Sequence, residues 1–445
     1  MWQAAWLSTA RKGTGMASVT TAIDRCGAMP RNRWSPARVR HRFGAAHFAK
    51  SMVWSFSDLL LAWFLHAVLH IPVERVALLL FVLLLVGAVC NAAAGALITW
   101  SRMSRRALVR LHFLASIATT IALLAQFADN GGVGTALAAG ILFRIAYALY
   151  DVPQTAMTSL LPRDSGDAHR YVALRTTLGA VARLIVTAAN LAIAQLPAAL
   201  FTTGALPLLL GFGVLVVATA WILRDADAGA PPAASCEAPA RASLRPPQGT
   251  LPILTAFFLS TLGFATLSRL LLFYPPAPGL TALGAWLLLL FSVGTVLGPS
   301  LALHWIRRCG WNRACIASAA LGMACALPLL TLPGLPGPLL GGAFGYGLGL
   351  GAAGALLWQA ATDVVRVHAE RCGERADALV FGLVIFTIHI AIAIALGALP
   401  LAVLVPALSS GAGIVWPGLA ITWGSGAAVV ALLLYRRAAP ASAPA

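Results

Sequence analysis

Twelve stretches of this chain are continuously apolar over lengths that match the hydrocarbon core of a bilayer, about 30 Å, which a helix crosses in about 20 residues. They cover approximately residues 47–69, 76–100, 107–127, 135–161, 171–194, 206–223, 251–273, 281–303, 312–333, 338–361, 376–400 and 412–435. The runs are unbroken instead of alternating with period two, so they predict helices and not barrel strands. Charged residues make up only 10% of the 445 and apolar ones 60%. A soluble domain carries about a quarter charged residues. The expected fold class is an all-α polytopic membrane protein, with the lipid bilayer as its solvent.

Against that background the formal charge of +17, from 31 Lys+Arg and 14 Asp+Glu, needs a location. Eight basic residues precede the first span. Arg102, Arg105, Arg106 and Arg110 lie between spans 2 and 3, and Arg163 and Arg170 between 4 and 5. Arg224, Arg241 and Arg245 follow span 6, Arg307, Arg308 and Arg313 follow span 8, and Arg366, Arg371 and Arg375 follow span 10. Arg436 and Arg437 come after span 12. All of these fall on one side; the other side holds only Arg75. The positive-inside bias places both termini in the cytoplasm and the chain in the cytoplasmic (inner) membrane. Basic residues dispersed over topogenic loops do not form a nucleic-acid surface.

The seven cysteines offer no pair in an outer loop and read as free thiols. No CxxC pair, His/Cys cluster or GxxxxGK[ST] phosphate loop occurs, so no metal, no cofactor and no ATP-driven step is expected. HExxH, GxSxG and acidic metal motifs are also missing, and the chain is not read as an enzyme. Residues 1–46 are basic and poor in acids. They read as a transit peptide, a cytoplasmic arm, or sequence upstream of a start at Met16 or Met29, the last two being favoured. The Pro/Ala-rich stretch 224–250 reads as a linker separating a bundle at 47–223 from a second at 251–435, with a tail at 436–445.

Six spans plus six suggest duplication. Arg105 and Arg106 precede span 3 as Arg307 and Arg308 precede span 9, and the charged turn Asp164 to Arg170 has a counterpart in Asp363 to Arg375. Parallel halves with a central linker are the arrangement of major facilitator transporters, whose substrate site lies at mid-membrane between two bundles. The stretch Tyr147-Ala-Leu-Tyr-Asp151-Val-Pro153, then Ser159-Leu-Leu-Pro162-Arg163-Asp164, Arg170 and Leu174-Arg175-Thr-Thr-Leu-Gly179 resembles the glycoside, pentoside and hexuronide:cation symporters. A second match covers Trp358-Gln-Ala-Ala-Thr-Asp363-Val-Val, Gly373-Glu374-Arg375 and the following helix to His389.

The resemblance implies that Asp151 links sugar and cation sites, that Arg175 and Lys50 correspond to the family's helix-5 arginine and helix-1 lysine, and that Tyr147 matches a sugar-site tyrosine. The departures carry information too. The family's paired helix-2 aspartates fall at Asn91 and Gly95, its helix-1 sugar aspartate at Ser51, its helix-11 lysine at His389, and an acid after Asp363 at Arg366. A sodium site of the family's kind is therefore not expected.

Independently of the resemblance, the spans enclose the acids Asp58 and Asp151, the bases Lys50, Arg144, Arg175, Arg183 and Arg269, and the titratable His389. An ion at mid-bilayer costs about 2.5–3.5 kcal/mol or more unless it is paired or faces water, so these groups should pair or line a cavity. Asp151 shares a helical face with Arg144, and Asp58 with Ser51. An Asp151–Arg175 pair between helices is one structural reading; Lys50 either reaches the cytoplasmic interface or enters the site. Arg183 and Arg269 read as snorkelling or end-capping groups.

Five bases against two acids favour an anionic solute. The expected substrate site is Lys50, Asp58, Tyr147, Asp151, Arg175 and Arg144, with Asp58, Asp151 and His389 as coupling candidates. Asp363, Arg366, Glu374 and Arg375 form the expected cytoplasmic gate. Together these readings describe a monomeric secondary transporter taking a small-molecule substrate, a sugar, glycoside, hexuronide or related organic anion, with a coupling proton in preference to sodium. An uncoupled facilitator or drug or metabolite exporter of the same fold, and a transport-inactive sensor, are the alternatives.

Overall fold

The computed structural model describes residues 35–127, 132–162, 165–193, 198–226, 244–270, 283–331 and 335–404. Several sequence expectations lie outside those residues: the arm up to residue 34, Arg163, Asp164, Arg241, the span at 412–435, and Arg436 and Arg437. The side chain of Arg269 lies outside them as well.

Among the described residues eleven α-helices run in chain order: α1 Pro36–Trp63, α2 Val73–Trp100, α3 Arg105–Gln126, α4 Gly132–Leu160, α5 Ser165–Ile193, α6 Ala198–Ala226, α7 Thr250–Leu270, α8 Leu283–Cys309, α9 Trp311–Thr331, α10 Pro336–Cys372 and α11 Asp377–Leu404. Among the described residues nine are long and apolar enough to cross a membrane, and there is no strand.

Two helix ends depart from the hydropathy reading. α1 begins at Pro36, not near 47, because Ser35 accepts a hydrogen bond from the Arg38 amide and Pro36 takes the first helical position, where its missing N–H costs nothing. The added turns bury Val39, Phe43 and Ala46, a helical spacing, while Arg40 reaches Asp167 on α5 at 3.1 Å. α10 continues to Cys372, so the expected charged turn from Asp363 is mostly helix. Arg366 pairs within that helix with Asp363 (3.5 Å) and Glu370 (3.1 Å), and Gly373 ends it in the left-handed region at φ 67°.

Within the first six helices α1 packs on α5 and α6, α2 on α4, and α3 on α4 and α6; in the rest α8, α9 and α10 form one group and α7 packs on α11. Across the two sets the principal contacts are α2 with α11 and α5 with α8. The second helix of each set thus meets the fifth helix of the other, a two-fold pseudo-symmetric pattern of contacts. Close approach is achieved with small residues. Gly294 and Gly298 on α8 face Gly347 and Gly351 on α10, where an added Cβ would enter the facing backbone. Gly95 on α2 and Gly382 on α11 do the same between the halves: a Cβ on Gly382 would lie 2.7 Å from the Asn91 carbonyl oxygen.

One apolar cluster joins both halves at the end of the bundle that carries the arginine-rich α2–α3, α8–α9 and α10–α11 connections. It contains Phe43, Val152 and Tyr171 from one half and Phe257, Leu357, Val364 and Phe381 from the other. Polar bonds reinforce it. Ser159 at the end of α4 donates to Asp377 at the start of α11, and Gln359 on α10 meets His169 on α5 at 2.6 Å.

Gly298→Val should lower the thermal unfolding temperature in detergent, since overpacking at a backbone contact costs about 1–3 kcal/mol. Gly322→Ala, where a Cβ meets nothing within 4 Å, should leave it unchanged.

Candidate functional site

The buried face of α4 repeats polar groups every three or four residues: Arg144, Tyr147, Asp151 and Thr155. Pro153 lies within this helix and removes one backbone hydrogen bond. The neighbouring Tyr150 carbonyl is met by His112 of α3 at 3.1 Å, which anchors α4 where the polar face turns inward.

Lys50 of α1 forms the ion pair with Asp151. It lies fourteen residues into the extended α1, roughly 21 Å along the axis at 1.5 Å per residue. This is why it sits in the interior, only 3% exposed, and not at an interface. Thr155 donates to the same carboxylate oxygen at 3.0 Å, and its oxygen accepts from Lys50 at 3.4 Å and from Arg175 at 3.5 Å. Of the readings open for Asp151, the direct pair with Arg175 does not form: Lys50 occupies the carboxylate, and Arg175 is joined to it through the Thr155 hydroxyl. The three ionic groups together carry one unit of excess positive charge.

Arg175 is held by the other half of the protein. Its guanidinium stacks 3.6 Å from the ring of Trp358 on α10, and Trp358 in turn packs edge-on against Phe257 of α7. Nη1 of Arg175 and Nδ1 of His47, one turn before Lys50, are buried without a hydrogen-bond partner. Arg175, His47 and Trp358 line a cavity of about 290 Å³ between α1, α5, α7, α8, α10 and α11, with Ser260, Thr261 and Thr295 on its second-half side.

A second polar cluster lies on the other side of Tyr147. Trp54 packs at a tilt against Tyr147 (5.0 Å between centroids) and stacks on His389 of α11 (4.7 Å), and the guanidinium of Arg144 lies 4.6 Å from the Trp54 ring. Asn91 of α2 donates to the Gly87 carbonyl at 2.7 Å and lies 3.5 Å from His389. Nε and Nη1 of Arg144 and Oδ1 of Asn91 are buried without hydrogen-bond partners. Asp58, half-buried on α1, makes no ion pair with Arg144, although it is an electrostatic neighbour of both Arg144 and His389.

Lys50, Tyr147, Asp151, Arg175, Arg144 and His389 therefore converge on the contact between the halves, with Asp58 at the edge. Arg183 is half-buried. The expected gate residues take a different form: Asp363 and Arg366 pair along α10, and Arg375 bonds to Asp377 at 3.1 Å, just two residues on. Across the halves at that end Ser159 bonds to Asp377 and Gln359 to His169. Sequence reasoning missed His47, Trp54, Thr155 and Trp358 as site members. Helical spacing from Lys50 and Asp151 was a usable signal for the first three. Gly95, one of the two positions matching the family's helix-2 aspartates, is filled by the backbone of α11: a Cβ there would lie 2.5 Å from the Ala378 carbonyl oxygen.

Removing the carboxylate should be costly. Asp151→Leu leaves Lys50 and Arg175 buried without it and should destabilise the protein by about 3 kcal/mol, whereas Lys50→Met/Asp151→Leu should recover most of that loss. Thermal unfolding of the purified variants measures both.

The family profile described as MFS/sugar transport protein matches residues 42–411. A search of curated protein sequences returned no match. Among solved structures, a bacterial homologue of the iron transporter ferroportin in its outward-facing state aligns with TM-score 0.68 and 13% identity, covering 90% of this chain and 99% of that one. The E. coli fucose:proton symporter FucP aligns with TM-score 0.64 and 14% identity, covering 89% and 98%. The human organic anion transporter MFSD10 aligns with TM-score 0.61 and 13% identity, covering 91% and 100%. At these identities the structures establish the fold, and the profile, spanning most of the helices described above, establishes the family: the chain is a multi-pass membrane protein of the major facilitator superfamily and belongs to its MFS/sugar transport family.

Proposed function

We propose that the protein is a proton-coupled symporter of a small organic anion, working as a monomer by alternating access in the cytoplasmic membrane with both termini in the cytoplasm. The observation that carries this reading is the Lys50–Asp151–Thr155–Arg175 network beside the cavity between the halves, with its surplus positive charge and unpartnered donors. An excess cation in the membrane interior is stabilised by an anion that brings its own charge.

Coupling follows from competition for the same two cations. While Asp151 is ionised, its carboxylate occupies Lys50 and draws on Arg175 through Thr155. Protonation at an Asp151 oxygen removes that competitor, and Lys50 and Arg175 become free to bind the anionic group of the substrate. Proton and anion then bind with positive linkage, each raising the affinity for the other. Proton and monoanion together return the network to the single positive charge it carried before, and the loaded site lets the halves separate at the arginine-rich end and close at the other. The shared apolar cluster and the Ser159–Asp377 bond at the arginine-rich end support reading these contacts as a state shut at that end, which on this proposal faces the cytoplasm. Asp58 and His389, next to Arg144, supply a second titratable position along the same interface. The backbone contact at Gly95 argues against a sodium site built from α2 carboxylates.

Asp151→Asn tests the coupling role, because it imitates the protonated acid permanently. In proteoliposomes the variant should keep counterflow exchange of a transported organic acid, lose at least tenfold in accumulation driven by a pH gradient, and bind the anion with little pH dependence. Wild-type exchange and wild-type accumulation together would rule this role out.

A further inference from the structure

The walls of the central cavity say more about the solute than its charge, on the premise that this cavity is where the transporter proposed above binds it. From the lining we infer that the preferred substrate is a monoanion built on a single flat apolar ring, an aryl carboxylate or sulfonate, and not a polyhydroxylated sugar.

Polar capacity is the first argument. Among the described residues that line the cavity there is no aspartate, glutamate, asparagine or glutamine. Sugar hydroxyls, each both donor and acceptor, need such groups, because burying them unbonded forfeits their hydration. Two of the four lining hydroxyls are already committed to their own helices. Thr176 donates to carbonyls of Val172 and Ala173, and Thr295 to that of Ser292. Asp151, the nearest carboxylate in the network, is engaged by Lys50 and Thr155.

What the cavity does supply is one charged corner and broad apolar walls. Arg175 and His47 each bring a buried nitrogen without a partner, enough for one carboxylate or sulfonate group. Phe257, Pro299, Leu350, Leu357, Trp358 and Ile388 form the remainder. Gly179 on α5 and Gly354 on α10 leave flat backbone surfaces, suited to the face of a ring. A Cβ on Gly354 would meet nothing within 4 Å. The volume, about 290 Å³, is at the small end of ligand clefts, which run from about 300 to 1,000 Å³, and suits one ring with its charged group.

The test is equilibrium binding of radiolabelled phenylacetate and benzenesulfonate to the purified full chain in detergent, with unlabelled glucuronate and galactose as competitors, followed by counterflow of benzenesulfonate in proteoliposomes. The two aryl anions should displace one another and bind at least tenfold more tightly than glucuronate, with galactose weaker still. Gly354→Leu fills open space without a clash and should abolish binding while the unfolding temperature is kept. Arg175→Gln should abolish it too, and Arg175→Lys should retain part of it. Binding of galactose or glucuronate as tight as that of the aryl anions, and lost in Gly354→Leu, would overturn the inference and leave the transport reading standing. A folded protein that binds aryl anions but shows no counterflow would overturn the transport reading instead. Absence of binding and exchange for every probe would overturn both.

Discussion

The cost of placing charge in hydrocarbon governs this structure. A bilayer offers no water to an ammonium, a guanidinium or a carboxylate, so each must find a partner inside the protein or border a space from which a partner arrives. Lys50 and Asp151 solve the problem for each other. Arg175 solves it incompletely, with an aromatic face from Trp358 and a shared hydroxyl from Thr155, and one of its nitrogens is left without a hydrogen-bond partner, which is the capacity that the proposed function assigns to substrate. Because Lys50, Asp151 and Arg175 belong to one half and Trp358 to the other, the same chemistry that stabilises the charges also holds the halves in register.

Backbone packing imposes the second condition. Glycines let α8 approach α10 within one half and α2 approach α11 between the halves, so the interface is made by main chain in places where other proteins would set side chains. At Gly95 this has a chemical consequence: the volume that an acid would need is occupied by α11. Away from the helix ends, Asp151 and the half-buried Asp58 are the acids at the described contact between the halves, and the electrostatic question narrows to how those two answer to Lys50, Arg144 and Arg175.

Most of the helical order was legible from hydropathy alone, because twenty uninterrupted apolar residues have few alternatives. The errors occurred where helix is stabilised by something other than apolar content. The start of α1 buries just Val39, Phe43 and Ala46 among arginines, a stripe too sparse for a hydropathy window, and its capping by Ser35 and Pro36 was the readable sign. The end of α10 is held by Asp363, Arg366 and Glu370 pairing along the helix, so a charged segment that resembled a turn is helical. At the site, the charged residues were identifiable because they are rare in membrane spans. Their partners were less so: helical spacing from Lys50 and Asp151 pointed to His47, Trp54 and Thr155 as sharing a face with them, but that Trp358 meets Arg175, and Trp54 meets Arg144 and His389, depends on how the helices of the two halves face each other.

Separation of the halves at the arginine-rich end is the motion on which transport through this architecture depends. It is tested most directly by thiol labelling in a background where the native cysteines are replaced by serine. Thr176→Cys places a thiol in the cavity, and Ser159→Cys with Asp377→Cys allows the contact between α4 and α11 to be locked by a disulfide. In sealed vesicles of either orientation, a membrane-impermeant maleimide should reach the cavity thiol from both sides while the lock is reduced. Once it is oxidised, labelling should proceed only from the side opposite the arginine-rich end, and reduction should restore it. Labelling from the arginine-rich side at an unchanged rate in the locked protein would contradict alternating access through this contact.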